Sequence, residues 1–241
     1  MMERRMPIRR LPAVVVLVAI LSSAGAVLAR PVLDAPRMQQ LGHYEVVTFA
    51  DPAGGGINKG KAIALFDATP DEIFRVVTAY DRYREFAPRV VSSQVIERRG
   101  DESALVFIKT NLPWPVSDAW VYARFATEQY GTTYRVRFWQ VKGSLRRYAG
   151  SILIEPWNRW KSAVTYELVV EPDSIAPKRL INGKVEDAVA RYVHALRQHV
   201  NNLHTAGLLH PQRPPDPDLP MPLAGRKDAL PVEHRADAEH R

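Results

Sequence analysis

Three histidines, one glycine-lysine run, two arginine pairs and five tryptophans are the side chains whose type and spacing could do chemistry. Gly55-Gly56-Ile57-Asn58-Lys59-Gly60-Lys61-Ala62 comes within one residue of the phosphate-cradling pattern G-x-x-x-x-G-K-[ST]. Ala62 lacks the hydroxyl that would hold magnesium, and the chain continues to Phe66 as an extended run, without the helix whose first amides face phosphate. The segment reads as a hairpin turn with two solvated lysines. His194, His199 and His204 recur every five residues, which rotates successive rings by about 140° around a helix and scatters them. A zinc site would space its ligands by three or four, so surface or groove-edge histidines are expected, with no metal. Only His199 shares a side with Tyr192 and Leu196, where it would be a polar group over a pocket.

Arg98-Arg99 and Arg146-Arg147 read as charges at hairpin ends, their functional alternative being a basic rim against anionic lipid headgroups. Trp114, Trp120, Trp139, Trp157 and Trp160 must pack or line something, and Trp157 and Trp160 flank a turn from which indoles could touch a membrane surface. No G-x-S-x-G elbow occurs, and spacing assigns no carboxylate pair to one pocket, so nucleophilic and glycosidic catalysis have no support. No cofactor is called for.

The elements that would position these groups occupy the middle of the chain. Arg4, Arg5, Arg9 and Arg10 precede an uncharged apolar run from Leu11 to Ala29, the pattern of a secretory signal peptide over residues 1–29. That predicts export to the periplasm and a mature start near Arg30; an uncleaved inner-membrane anchor shares the pattern, because the run approaches the roughly 20 residues that span a bilayer. With 0 cysteines, disulfides, thiol catalysis and thiolate metal sites are excluded. Removing four Arg and one Glu with residues 1–29 lowers the formal charge from +7 to +4, too mild for a nucleic-acid binder. From about residue 208 to 241 repeated prolines forbid helix and interior strand, and few large apolar residues remain; a solvated, disordered tail is expected.

Residues 30–207 are left for one domain. A short strand near Tyr44 to Phe49 and a second from Ile57 to Phe66 flank the turn at Asp51 to Gly56. Thr69-Pro70-Asp71-Glu72 starts a helix with Thr at the cap, Pro at the first position and acids toward the positive dipole end. Asp81 to Pro88 follows as a short helix or turn. Val90 to Glu171 contains six strand-like runs separated by polar or glycine-bearing turns, a meander of hairpins. In Thr133 to Phe138 the arginines mark the solvent face, and Tyr134, Val136 and Phe138 the covered one. Pro177 to about Leu203 carries Ile181, Val185, Ala188, Val189, Tyr192, Leu196 and Val200 at helical spacing, one amphipathic helix long enough to cross a six- or seven-stranded sheet. The fold class is α+β, a curved antiparallel sheet wrapped around a long C-terminal helix.

That order of elements resembles the START-like, or polyketide-cyclase-like, helix-grip superfamily, also called START/Bet v 1-like or SRPBCC. Ala68-Thr69-Pro70-Asp71-Glu72-Ile73-Phe74, then Val76 to Tyr83 and Phe86-Ala87-Pro88, look like the family's first and second helices. Leu112-Pro113-Trp114-Pro115-Val116-Ser117-Asp118 resembles a hairpin connection of START-type members, although these commonly follow the Asp with Arg, and here Ala119-Trp120 follows. The similarity covers roughly Gly56 to Val200. It implies a hydrophobic tunnel between sheet and helix that accepts lipids, sterols or hopanoids, isoprenoids, quinones or polyketides. It does not imply an activity.

The reading is a module that binds a hydrophobic small molecule and transports or sequesters it, with transient membrane-surface contact as a further partner and no nucleic acid. By alternation and helical face its wall is expected from Val106, Ile108, Trp120, Tyr122, Val136, Phe138, Ile152, Val164, Tyr166, Val185, Val189 and Tyr192. Two rivals stand beside it. An aromatase or cyclase would need polar groups in the tunnel, for which Tyr122, Tyr166, Tyr192 and His199 are the candidates. A protein-interaction module would have its grip filled by side chains.

Overall fold

A computed structural model describes residues 33–111, 118–173 and 178–209, with side chains of 178–183 excepted. The expected signal peptide and most of the expected tail lie outside the described residues, as do Leu112 to Ser117. Twelve elements follow in order: α1 (Ala35–Gly42), β1 (Val47–Pro52), β2 (Asn58–Phe66), α2 (Pro70–Thr78), a 3₁₀ helix (Tyr80–Glu85), β3 (Val90–Arg99), β4 (Ser103–Thr110), β5 (Ala119–Tyr130), β6 (Thr133–Gly143), β7 (Leu145–Pro156), β8 (Ser162–Pro172) and α3 (Lys178–Thr205). Sequence reading had no helix at α1. Its signal is short: Asp34 caps it, the carboxylate accepting the Arg37 amide proton at 3.0 Å, and Pro36 sits in its first turn.

The strands form one antiparallel sheet in the order β1-β2-β8-β7-β6-β5-β4-β3. It has eight strands, one more than the largest sheet expected, because both N-terminal strands join: β2 pairs with β8, from Gly60 with Leu168 to Phe66 with Ser162. Register shifts in the β3–β4, β5–β6 and β7–β8 pairs bend it. The concave face carries small residues on β2 (Ala62, Ala64) and larger ones on the meander (Val106, Phe125, Val136, Ile152, Ile154), all nearly without solvent contact. Against it lie Val189, Tyr192, Val193, Leu196 and Val200 of α3. Each such side chain contributes about 1.5–3 kcal/mol when fully buried.

Close approach of α3 requires Gly60 on β2, where an added Cβ would sit 2.9 Å from both Val185 Cγ2 and the Val185 carbonyl oxygen. α2 is set by a capping box, the Glu72 carboxylate accepting the Thr69 amide proton at 2.8 Å and the Thr69 hydroxyl at 2.9 Å. Lys59 and Lys61 are not free in solvent as expected. They stand on β2, and both pair with Glu167 of β8, at 3.4 and 3.0 Å.

Candidate ligand cavity

Between the concave face and α3, toward the β3 side, lies a cavity of about 180 Å³. Its inner wall is aromatic. Tyr166 stacks on Tyr192 with centroids 4.2 Å apart, and Phe138 lies 5.2 Å from Tyr148, 6.2 Å from Tyr166 and 5.5 Å from Phe125. Gly150 makes room for this cluster: a Cβ there would lie 2.5 Å from Phe138 Cζ and would also collide with the Glu167 carbonyl oxygen. Tyr83, anchored by its hydroxyl to the Val77 carbonyl at 2.7 Å, contributes a further wall. The rim is built by Ala87 to Val90, by Leu145 at the start of β7, and by Ala188 and Arg191 of α3.

Burial holds the phenols of Tyr148, Tyr166 and Tyr192 above the usual tyrosine range, so each stays a neutral hydroxyl at ordinary pH. Among the described residues the lining contains no carboxylate, imidazole or lysine. The only charges are the exposed guanidinium groups of Arg89 and Arg191. Nor is any group of three His, Asp or Glu among the described residues placed to hold a metal.

Of the expected wall, Ile108, Trp120, Phe138, Ile152, Tyr166 and Tyr192 are brought together around the cavity. Val106, Val136 and Val164 are fully buried in the sheet core but do not border the space. Val185 and Val189 are also plain core, packed onto Gly60. Tyr122 is on the wrong face. In β5 the buried series is Ala119, Val121, Ala123 and Phe125, which leaves Tyr122 on the other side against Phe107 at 5.2 Å. Trp120 borders the rim while its indole meets Tyr122 edge-on at 6.0 Å. The signal was Arg124, which shares the parity of Trp120 and Tyr122 and so marks their face as the outer one. Val121, Phe125, Tyr148 and Ala188 were missed. Val121 and Phe125 follow from the same corrected parity, and Ala188 from the helical stripe.

The histidines go to three separate partners. His194 Nδ1 meets an Arg197 guanidinium nitrogen at 3.3 Å, His199 stacks on Phe86 at 4.9 Å, and His204 bonds Glu72 at 2.9 Å. His199 does not border the cavity; burial lowers its pKa, Glu85 opposes that, and the Arg82 charge adds to it. Arg146 pairs with Asp173 at 2.8 Å, and Arg147 donates to the Ala53 carbonyl at 2.9 Å, so this pair ties hairpin ends down.

The family described as polyketide cyclase / dehydrase and lipid transport matches residues 66–197, more than half of the 241-residue chain. The chain belongs to that family. This START/SRPBCC member has the helix-grip fold of several solved structures. One is a STAR-related lipid transfer protein from Xanthomonas axonopodis, 21% identical, with TM-score 0.59, covering 65% of this chain and 93% of that one. Another is human STARD10, 13% identical, with TM-score 0.60 and 68% and 73% covered. The Zhui aromatase/cyclase from Streptomyces sp. R1128 is 10% identical, with TM-score 0.50 and 62% and 96% covered. These likenesses concern the fold. No curated protein matches the sequence.

Proposed function

We propose that this family member binds a hydrophobic small molecule in the cavity between the sheet and α3, and transports or sequesters it. The observation that carries the reading is an aromatic cavity open at one rim, lined by neutral phenols and without an acid, base or metal site among the described residues. Such a wall takes up apolar surface and offers hydrogen bonds to one or two polar atoms of a guest. It offers no general base at neutral pH, because the tyrosines are all shifted upward. That disfavours the cyclase alternative.

The size narrows the guest. About 180 Å³ is below the 300–1,000 Å³ of usual ligand pockets, while ~150 Å³ is enough to hold a benzene ring. In this form the space takes one ring or a short stub of alkyl chain; a whole lipid would need α3 and the rim to move apart. Export through the N-terminal segment remains part of the proposal, as does transient contact with a membrane surface, for which the exposed Trp157 and Trp160 on the β7–β8 turn are the support. Mass spectrometry of the extract from protein purified from its native host tests the binding reading. A stoichiometric apolar molecule is the expected result; no molecule, together with no uptake of a fluorescent apolar probe, overturns it.

A further inference from the structure

The cavity is neutral inside and cationic at its rim. Tyr148, Tyr166, Tyr192, Phe125 and Phe138 offer no charge to a guest, whereas the exposed Arg89 and Arg191, from separate elements, both border the cavity. Arg89 sits in the connection from the 3₁₀ helix to β3, and Arg191 on α3. Guanidinium stays charged at all ordinary pH and binds carboxylate or phosphate through two parallel donors.

The backbone at Arg89 is unusual. Its φ of 64° lies in the left-handed region, one of only two such non-glycine residues among those described. Arginine gains nothing there sterically, and glycine or asparagine would be easier. The conformation is held by the Asn111 amide, which donates to the Arg89 carbonyl at 2.9 Å, next to Pro88 and Val90, which also border the cavity. Strain kept at the rim of a pocket points to a side chain that the site uses. Arg191 has a competitor, Asp187 one turn away, but that pair is exposed and 4.0 Å apart. An exposed pair of that kind contributes little and yields readily to a better-placed anion.

We infer that the guest is an amphipathic anion: an apolar ring or short chain inserted among the aromatic residues, with a carboxylate or phosphate at the rim held by Arg89 and Arg191. The inference rests on the proposed binding function and adds the charge of the ligand to it. Two sources share that chemistry, an aryl acid and an alkyl acid.

Calorimetry with two matched pairs separates these possibilities: 3-phenylpropionate against 3-phenylpropanol, and octanoate against octanol. Each is titrated into wild type, Arg191→Gln, and the double variant Arg89→Asn with Arg191→Gln, asparagine being chosen because it tolerates the left-handed backbone. The acid is expected to bind about tenfold tighter than its alcohol in wild type, the size of one charge-assisted contact, with the ratio falling toward one in the double variant and the alcohol unchanged. The preference should also shrink as salt rises. Whichever pair binds tighter identifies the aryl or the alkyl source. Equal affinity of acid and alcohol in wild type, or a ratio that survives in the double variant, overturns the anion and leaves the binding reading in place. No binding of any of the four overturns both. Unchanged melting temperatures show that the variants are folded.

Discussion

His204 Nε2 lies 2.9 Å from Glu72 Oε1, so the last turn of α3 is bonded to the first turn of α2 across 132 residues of chain. The carboxylate is 1% exposed and also accepts two hydrogen bonds from Thr69. Glu72→Gln should therefore cost about 2 kcal/mol, a lost capping interaction plus a weakened buried bond, with the midpoint read from urea unfolding. A loss below about 0.5 kcal/mol would show that the bridge is incidental to α2.

The same carboxylate sets a pH dependence. Burial pushes its pKa up, but the His204 and Thr69 hydrogen bonds outweigh that and the net direction is down from 4.5. A folded value below the unfolded one means that the stabilisation is complete above about 4.5 and is lost as pH falls through the folded value. Wild type should lose stability below that pH more steeply than Glu72→Gln, as compared by thermal melts from pH 6 to pH 3. Parallel curves would contradict the assignment.

Ala188 and Val189 are adjacent yet should respond oppositely to enlargement. Ala188 borders the cavity, so Ala188→Phe fills space meant for a guest, and apolar-probe uptake should fall at least tenfold while the protein stays folded. Val189 is fully buried against Gly60, so Val189→Trp overpacks a solid contact and should cost about 1–3 kcal/mol or more. Similar effects at the two positions would mean that the cavity wall is misplaced.

Two glycines test how closely the layers approach. In Gly150→Ala the new methyl meets both the backbone of β8 and the Phe138 ring, and neither can retreat without opening the sheet. In Gly60→Ala it meets Val185, whose helix can shift by a few tenths of an ångström. Both should destabilise, by about 1–3 kcal/mol for Gly60→Ala and more for Gly150→Ala, in guanidinium melts. The reverse order would show that α3, not β8, is the rigid partner.

Replacing Trp157 and Trp160 together by Ser should abolish co-sedimentation with vesicles containing anionic lipid and leave the melting temperature within a few degrees, since both indoles are exposed. Unchanged co-sedimentation would remove the membrane-contact proposal from this turn.

By itself the sequence determined the elements from β1 onward and their order, but not α1. Local periodicity carries that information. Alternation in Thr133 to Phe138, the cap at Thr69 and the proline-free amphipathic run of α3 each depend on residues within a few positions of one another, and all appear where expected. Likewise Tyr166 was legible as inward-facing from Thr165 and Glu167 on either side of it, Phe138 from the alternation with Arg135 and Arg137, and Tyr192 from the helical stripe it shares with Val185, Val189 and Leu196.

Only tertiary structure decided what depends on distant contacts. In β5 both parities are apolar from Ala119 to Ala123 and only Arg124 beyond them hints at the outer side; the folded sheet puts Ala119, Val121, Ala123 and Phe125 on the buried face and leaves Tyr122 on the other. Along α3 the stripe announced a buried face but not that Gly60 would draw Val185 and Val189 into contact, leaving the space beside Ala188 and Tyr192. Nor could spacing place Arg89 and Arg191, about 100 residues apart, at one rim. A cavity is what packing leaves unfilled, and that remainder is a property of all its walls at once.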